Sequence, residues 1–242
     1  MDEMILKLIE AIKKKYKAKS TQDKIFKELL KAPGSREYVT AYETAKAAGY
    51  ELEDALVESW NQLMDGNEVY ASTMRQVLEG IVPSMDENVW AACEQIQNNM
   101  NKAAGLGIKA QTAELNPSEL RNIAESMDGK KVELIDGKLA TYACKVVDMT
   151  QSSNMDLAMD LGFEIQVTRK YDGVGLHRRT KHAEKCVWCT EKAGTHRFKN
   201  SEEVQKAGVF ARHDGCGCTI DYENVRTGTR TANVQNYRGG RR

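Results

Sequence analysis

The sequence predicts an α+β protein with a helical N-terminal region, a smaller mixed domain and a basic tail. Apolar residues recur every three or four positions as far as about residue 128, which is the spacing of amphipathic helices. Beyond Asp128-Gly129 apolar and polar residues alternate as they do in strands, and cysteines cluster farther along the chain. We therefore expect a helical region over 1–128, an α+β domain over 129–225 and a tail over 226–242.

The predicted helices of the first region begin and end at recognisable signals. A first helix ends in a run of lysines, and a second begins at Ser20. Gly49 is expected to close the third helix. Pro83 is expected to stop the fifth, because proline lacks the N–H that continues a helix, and a capping box at Ser84 is expected to open the sixth. The predicted ranges of the third and later helices are 35–48, 51–64, 68–81, 84–104 and 117–127.

Strands are predicted after residue 128. Residues 131–147 favour two strands joined at Asp136-Gly137, a dipeptide typical of a type I′ hairpin. The later predicted elements are a helix over 151–161, a strand over 163–171, a short helix from Ser201 and a closing strand over 219–222. Cys93 and Cys144 fall on apolar positions and are expected to be buried thiols.

Charge is distributed unevenly along the 242 residues, although the formal net charge is zero. Residues 47–101 carry many carboxylates and one cation, Arg75, whereas residues 164–199 and the tail are rich in lysine or arginine. The acidic half is expected to repel nucleic acid and the basic half to attract it. There is no apolar run of about 18 residues, which excludes a transmembrane helix, and the acidic N-terminus is not that expected of a signal peptide. These features predict a cytoplasmic origin with reduced thiols.

Four cysteines form the clearest motif, a CxxC at Cys186 and Cys189 and a CxC at Cys216 and Cys218. Each pair places two sulfur ligands on one turn, and glycines on both sides of Cys216 permit tight backbone turns. Four soft ligands suit a tetrahedral zinc ion with Zn–S distances of about 2.3 Å. Three alternatives remain. They are two disulfides, which are expected in exported proteins, a redox-active CxxC, which needs no distant CxC, and unligated buried thiols.

The predicted zinc is structural, because a shell of four thiolates leaves no open position for water. A His182-Ala183-Glu184 triplet precedes the CxxC and is similar to the HxE of zinc deaminases. Glu184 lies too close to Cys186 in sequence for that geometry, and no proline precedes the CxxC. His213 could replace one thiolate as a ligand, or it could be a hydrogen-bond donor or an exposed loop residue. Both possibilities remain open.

The cysteine and histidine pattern resembles the end of the C-terminal domain of one protein family. The residues that carry the resemblance are Cys186-Val-Trp-Cys189, Ala193-Gly194 and His213-Asp-Gly-Cys216-Gly-Cys218. Phage Mu F-like head morphogenesis proteins, also called minor head or minor capsid proteins, typically end this domain with a CxxC-type pair, a glycine-containing stretch and a His-x-x-Cys-x-Cys element. Here Asp214-Gly215 and Gly217 stand where that family usually has proline or a small polar residue, and often arginine.

This resemblance covers about residues 130–225 and implies a virion component rather than an enzyme. The place it implies is the capsid interior or the portal vertex, reached from the host cytoplasm during assembly. The partners it implies are the portal and major capsid proteins and packaged double-stranded DNA. No membrane partner is expected.

Basic residues of the second half are the candidate DNA contacts. Contacts of this kind go to phosphates, so they are expected to be independent of sequence and strongly dependent on salt. The candidates are Arg169, Lys170, Arg178, Arg179, Lys181, Arg226, Arg230, Arg238, Arg241 and Arg242.

Two other functions remain as alternatives. A nuclease or toxin-like enzyme could use the four histidines His177, His182, His196 and His213 as acid–base groups. No carboxylate pair or second metal motif is evident in the sequence to support that chemistry. A cellular zinc-ribbon protein that binds nucleic acid is the other alternative.

Overall fold

The computed structural model describes residues 2–18, 37–66, 68–113, 115, 117–171, 173–178 and 186–225. Over these residues the protein is α+β, with seven α-helices, one short 3₁₀ helix and three strands. The predicted helix from Ser20 and the predicted basic tail lie outside the described residues.

Four long helices and three short ones precede or interrupt a small sheet. The helices are α1 Glu3–Ala18, α2 Val39–Leu63, α3 Ala71–Ala104, α4 Ser118–Ser126, α5 Lys138–Asp160, α6 Val187–Lys192 and α7 Ser201–Ala207, and a 3₁₀ helix spans Val132–Ile135. The strands are β1 Glu164–Lys170, β2 Gly194–Phe198 and β3 Thr219–Val225. They form an antiparallel sheet in the order β2-β1-β3, in which Val167 pairs with both His196 and Tyr222.

One apolar core joins the helices to the sheet. It runs from Ile5 in α1 to Tyr222 in β3 and is built mainly by α1, α2, α3 and α5. Strand β1 packs against α5, and β3 packs against both α2 and α5. Helix α5 follows residue 128 in sequence and packs against α2 and α3 from before it. The division of the chain at residue 128 stays a prediction.

Gly49 does not end a helix, so the prediction of two helices over 35–48 and 51–64 is wrong. Helix α2 continues through Gly49, because this glycine lies against the backbone of α5. A Cβ atom at this position would lie 2.4 Å from Cα of Ala140. The missing side chain therefore allows the two helices to pack closely.

The predicted hairpin over 131–147 is also wrong, because these residues form the 3₁₀ helix and the first half of α5. Gly137, at φ +76°, makes the turn before α5. The buried Glu53 of α2 then accepts hydrogen bonds from the N–H groups of Gly137, Leu139 and Ala140, at 3.0, 2.9 and 3.1 Å. A carboxylate from another helix thus caps α5 and favours helix over hairpin.

Pro83 does not stop a helix, and Ser84 does not start one. Both lie inside α3, where the buried residues Ile81, Val82 and Met85 continue a single apolar stripe. Proline inside a helix costs about 3 kcal/mol. The side chain of Pro83 is exposed, and burial of the stripe around it offsets that cost.

Other predicted elements are confirmed. The first helix is α1, the helix over 117–127 is α4, the short helix from Ser201 is α7, and the strands over 163–171 and 219–222 are β1 and β3. Strand β2 was not predicted, because four of its five residues are exposed and it has no alternating pattern. Cys93 and Cys144 are buried as expected, although Cys144 lies in a helix. Within the described residues, no helix combines the length and apolar character needed to cross a membrane.

Candidate metal centre

Two loops far apart in sequence bring five possible metal ligands together. Cys186 precedes α6, and its sulfur accepts a hydrogen bond from the N–H of Cys189 at 3.4 Å. The second loop joins α7 to β3 and supplies His213, Cys216 and Cys218. All these cysteines are free, and all but the half-buried Cys186 are buried.

Cys189 lies at the middle of the cluster. Nε2 of His213 is 3.1 Å from the Cys186 sulfur and 3.0 Å from the Cys189 sulfur, and the sulfurs of Cys189 and Cys216 are 3.6 Å apart. The donor atoms of Cys186, Cys189 and His213 all lie within 4.8 Å of one another. The same holds for the sulfurs of Cys189, Cys216 and Cys218. The four predicted cysteines and His213 therefore form one cluster that is positioned to hold a metal ion.

His213 is partly exposed, and one of its ring nitrogens faces the cluster. Its Nδ1 lies 2.7 Å from the carbonyl oxygen of Asp214, and a carbonyl can only accept, so Nδ1 carries the proton. Nε2 is then left with a lone pair that faces the sulfurs of Cys186 and Cys189. A hydrogen bond that selects the tautomer in this way is typical of metal-binding histidines.

Arg169 approaches the cluster from β1 and is 1% exposed. Its Nη1 donates to the carbonyls of Val209 and Ala211 at 2.7 and 2.8 Å, and its Nη2 donates to the Cys216 sulfur at 3.4 Å. The guanidinium also lies 4.9 Å from the ring centre of Trp188. This buried position does not fit the predicted contact between Arg169 and DNA phosphate, because the charged group faces the protein interior.

Arg212 joins the cluster to the helices. Its Nη1 donates to the Cys218 carbonyl at 2.8 Å and approaches the Cys216 sulfur at 3.7 Å. Its other nitrogens donate to the buried carboxylate of Asp148 in α5, which also accepts a hydrogen bond from Tyr42 of α2. The sequence analysis did not identify Arg212 or Asp148 as part of the site. The only sequence signal for Arg212 is its position next to His213, and the sequence carries no such signal for Asp148.

The cluster makes the two thiols of the CxC chemically different. The pKa of Cys216 is lowered to about 4, chiefly by a hydrogen bond from Cys218 and further by Arg212 and Arg169, although burial opposes the shift. The pKa of Cys218 is raised because it donates to Cys216 and is buried. Burial is also the main cause that raises the pKa of Cys189 to about 12. Of Cys189, Cys216 and Cys218, it is therefore Cys216 that ionises most readily in the protein without metal.

The CxC loop is held in place by the helical part of the molecule. Lys46 of α2 donates to the Gly217 carbonyl at 3.1 Å, and the Gly215 N–H donates to the hydroxyl of Thr141 in α5 at 3.0 Å. A Cβ atom at Gly217 would lie 2.1 Å from the carbonyl oxygen of Val174. Gly215, at φ +73°, makes a turn of the kind predicted, whereas the missing side chain of Gly217 allows the close approach of Val174.

The three described histidines do not converge on one site. His213 belongs to the cluster, His177 contacts the Asp136 carbonyl through Nδ1 at 2.7 Å, and His196 is exposed on β2. His182 lies outside the described residues. Among the described histidines, only His213 contributes to the metal cluster.

The other residues predicted to contact DNA differ in exposure, and most of them lie outside the described residues. Lys170 is exposed at the end of β1. Arg178 is partly exposed, pairs with Asp54 at 2.9 Å and lies over the ring of Tyr50 at 4.2 Å. The remaining candidates, Arg179, Lys181, Arg226, Arg230, Arg238, Arg241 and Arg242, lie outside the described residues.

Comparisons of the chain with protein-family models, with curated proteins and with solved structures found no match. The resemblance to phage Mu F-like proteins therefore rests on the cysteine and histidine pattern alone.

Proposed function

We propose that this protein is a phage minor head protein that acts in head morphogenesis near the portal, and that its cysteine and histidine cluster holds a structural zinc ion. The observation that carries the proposal is the meeting of the CxxC with the His-x-x-Cys-x-Cys element around Cys189. The spacing of the CxxC and the His-x-x-Cys-x-Cys element suggested the family. A single zinc site built from both motifs requires that they lie close together in the folded chain, and they do.

Zinc fits the donors better than other common ions. Thiolate sulfur and imidazole nitrogen are its preferred ligands in structural sites, whereas magnesium and calcium prefer oxygen. The sulfurs of Cys189, Cys216 and Cys218 are buried, so water has little access to an ion held there. A closed site of this kind supports structure rather than hydrolysis.

The ion would join elements that have few apolar contacts of their own. Helix α6 buries only Cys189, and strand β2 buries only Phe198. Metal binding can supply the folding free energy that so small a core lacks. We propose that zinc holds α6 and the CxC loop together so that the sheet keeps its basic surface.

That surface and the basic tail would contact packaged DNA, while the acidic helices would meet the portal or the major capsid protein. Lys170, Arg197 and Lys199 are exposed on β1, on β2 and just after β2. They offer positive charge to phosphates without reading bases. The protein would assemble from the host cytoplasm into the capsid interior or the portal vertex.

Metal content tests the zinc part of the proposal. We expect about one zinc per chain in protein purified under reducing conditions without chelators. The Cys189→Ser variant should lose the metal, because Cys189 belongs to both sets of three donors, and Cys93→Ser is the matched control. Purified wild-type protein without metal would contradict the proposal.

Association with heads tests the assembly part. Heads isolated by density gradient from cells that make the particle should contain the wild-type chain and less of Cys189→Ser. A chain that stays in the soluble fraction and cleaves plasmid DNA with a divalent cation would instead support the nuclease alternative. Salt-sensitive DNA binding without cleavage and without heads would support the zinc-ribbon alternative.

A further inference from the structure

Arg169 is a buried cation that has no carboxylate partner in the part of the chain that the structure describes. Its hydrogen bonds go to two neutral carbonyls, of Val209 and Ala211, and to the sulfurs of Cys216 and Cys218. A charge at 1% exposure is costly unless an opposite charge lies close to it. The Trp188 ring lies 4.9 Å from the guanidinium, and an anion in the neighbouring sulfur cluster would offset the remaining cost.

Arg212 does not need the same compensation. It is also buried, and it is paired with the buried carboxylate of Asp148 through two of its nitrogens. The pair is neutral as a unit. Among the described arginines that contact the cluster, Arg169 is then the one whose charge the metal centre would balance.

The charge of the centre depends on its ligands. A zinc ion with four thiolates carries two net negative charges, whereas a zinc ion with three thiolates and one neutral imidazole carries one. One negative charge matches Arg169 alone. His213 is already oriented to be that imidazole, since its Nδ1 proton is held by Asp214 and its Nε2 faces the sulfurs of Cys186 and Cys189.

Both thiols of the CxC lie near Cys189 and Arg169, but Cys216 is also contacted by a second arginine, Arg212. The Cys216 sulfur lies 3.6 Å from that of Cys189, close to the edge of about 3.8 Å in a tetrahedron with Zn–S bonds of about 2.3 Å. Nη2 of Arg169 and Nη1 of Arg212 both point at the Cys216 sulfur. Hydrogen bonds to a ligand sulfur stabilise the metal-bound thiolate.

The geometry points to a zinc centre made by Cys186, Cys189, His213 and Cys216, with Arg169 as its buried counter-ion and Cys218 outside the ligand set as a thiol. This inference rests on the proposed zinc site and replaces the expected set of four cysteines. Cys189 is the residue that the two sets of three donors share. Binding of one ion by Cys186, Cys189, His213 and Cys216 would therefore bring Cys216 closer to Cys186 and His213. Arg169 acts through Cys216 and is a positioning residue.

The two cysteines of the CxC provide a matched pair of variants. Cys218→Ser should keep one zinc, with an affinity within about threefold of wild type, because serine can still donate to Cys216. Cys216→Ser should weaken zinc binding on the order of 100-fold or more. After cobalt substitution, Cys218→Ser should keep the wild-type sulfur-to-cobalt absorption, and Cys216→Ser should lose roughly one third of it.

Arg169 is tested separately from the ligands. Arg169→Met removes the counter-ion and should weaken zinc binding about 10- to 100-fold, the effect usual for groups that support metal ligands. Arg169→Lys keeps the charge and should recover part of the affinity. Arg197→Met, at an exposed arginine on β2, is the control and should bind zinc as wild type does.

The outcomes separate this inference from the proposed function. Wild-type protein that binds no zinc refutes the proposed metal site itself. Wild-type protein that binds zinc, with binding lost in Cys218→Ser and unchanged in His213→Gln, refutes a ligand set that includes His213 and omits Cys218. A folded Arg169→Met variant with unchanged zinc affinity refutes the counter-ion role. If Arg169→Met does not fold, Arg169→Lys and Arg169→Gln are compared instead. Equal zinc affinities of these two variants refute the counter-ion role.

Discussion

The helical core and the metal cluster are stabilised in different ways. The core, formed by apolar residues of α1, α2, α3 and α5, is a broad set of buried side chains such as Leu56 and Trp60. The metal cluster, residues 186–189 and 213–218, buries three cysteines in a group of their own with Tyr171 and Trp188 packed against it. Many weak contacts hold the first, and a few polar and charged groups hold the second.

This difference means that the two regions should respond differently to single changes. Loss of one methyl group from the core removes a small share of a large sum, whereas loss of one ligand removes much of what holds the cluster. The regions meet at the buried pair of Arg212 and Asp148, which is bonded to Tyr42 on one side and to the CxC loop on the other. Changes in the core, the cluster and this junction should therefore be distinguishable.

Removal of the proposed zinc should have the largest effect, and it should be confined to the cluster. Binding of structural zinc contributes on the order of 10 kcal/mol in small zinc domains at neutral pH. We expect a strong chelator, or Cys189→Ser, to increase hydrogen exchange in residues 186–189 and 213–218 and to change the fluorescence of Trp188. Far-UV circular dichroism should keep most of its helical signal. A parallel loss of helix α2 would show that the two regions are not separable.

Arg212→Met should be next in size and should affect both regions. Breaking one side of a buried ion pair costs about 3–5 kcal/mol, because the carboxylate of Asp148 is left without its partner. Chemical denaturation measures the loss of unfolding free energy, and a competing chelator measures zinc affinity, which should fall as well. The double variant Arg212→Met with Asp148→Leu should be less destabilised than the sum of the two single variants. Additive effects would contradict the coupling.

Leu56→Ala should destabilise the helical core without affecting the metal. Leu56 is fully buried in α2, and truncation of such a leucine costs about 2–5 kcal/mol. Leu63→Ala is the control, since Leu63 is 38% exposed and its loss should cost about 0.5 kcal/mol or less. Zinc affinity, measured at a temperature where both variants are folded, should equal that of wild type. A weaker affinity in Leu56→Ala would mean that core packing sets the cluster geometry.

The smallest expected effect is a pH dependence from Glu53, which caps α5. Burial raises the pKa of this carboxyl to about 7, although the N–H groups of Ala140 and Gly137 and the Arg178 guanidinium lower it. The folded protein then binds a proton more tightly than the unfolded chain. The unfolding free energy should therefore fall by at most about 3 kcal/mol as the pH rises from about 4.5 to 7.

Glu53→Gln tests this dependence, because glutamine does not titrate. Denaturation of both proteins between about pH 5 and 8 should show a steeper fall for wild type than for the variant. Parallel profiles would assign the pH dependence to other groups. The metal cluster can be monitored in the same samples through Trp188.

The cluster could be predicted closely because its information is local. Ligand type and spacing are contained in the CxxC and CxC, and the glycines beside Cys216 indicate the tight turns that the structure contains. The sequence left His213 open between ligand and loop residue, and in the structure it lies in the cluster. Its role depends on the direction of one ring nitrogen, and that direction depends on the fold of the loop.

At other positions the structure differs from the local sequence signal because of contacts with residues that are remote in sequence. Asp136-Gly137 is a hairpin signal, yet the chain turns there into α5, because a carboxylate from α2 satisfies the first N–H groups of that helix. Pro83 is a stop signal, yet α3 passes through it with the proline ring on the exposed side. Arg169 was expected to face phosphate and is instead buried beside sulfur.

Spacing and residue type alone were enough to establish the α+β class, the amphipathic helices and the thiol turns, because these depend on neighbours a few positions away. The capping of α5 by Glu53, the burial of Arg169 and the link from Asp148 through Arg212 to the CxC loop required the folded chain. Each of these joins groups that are remote in sequence, and the free energy of a buried charge depends on what surrounds it in space.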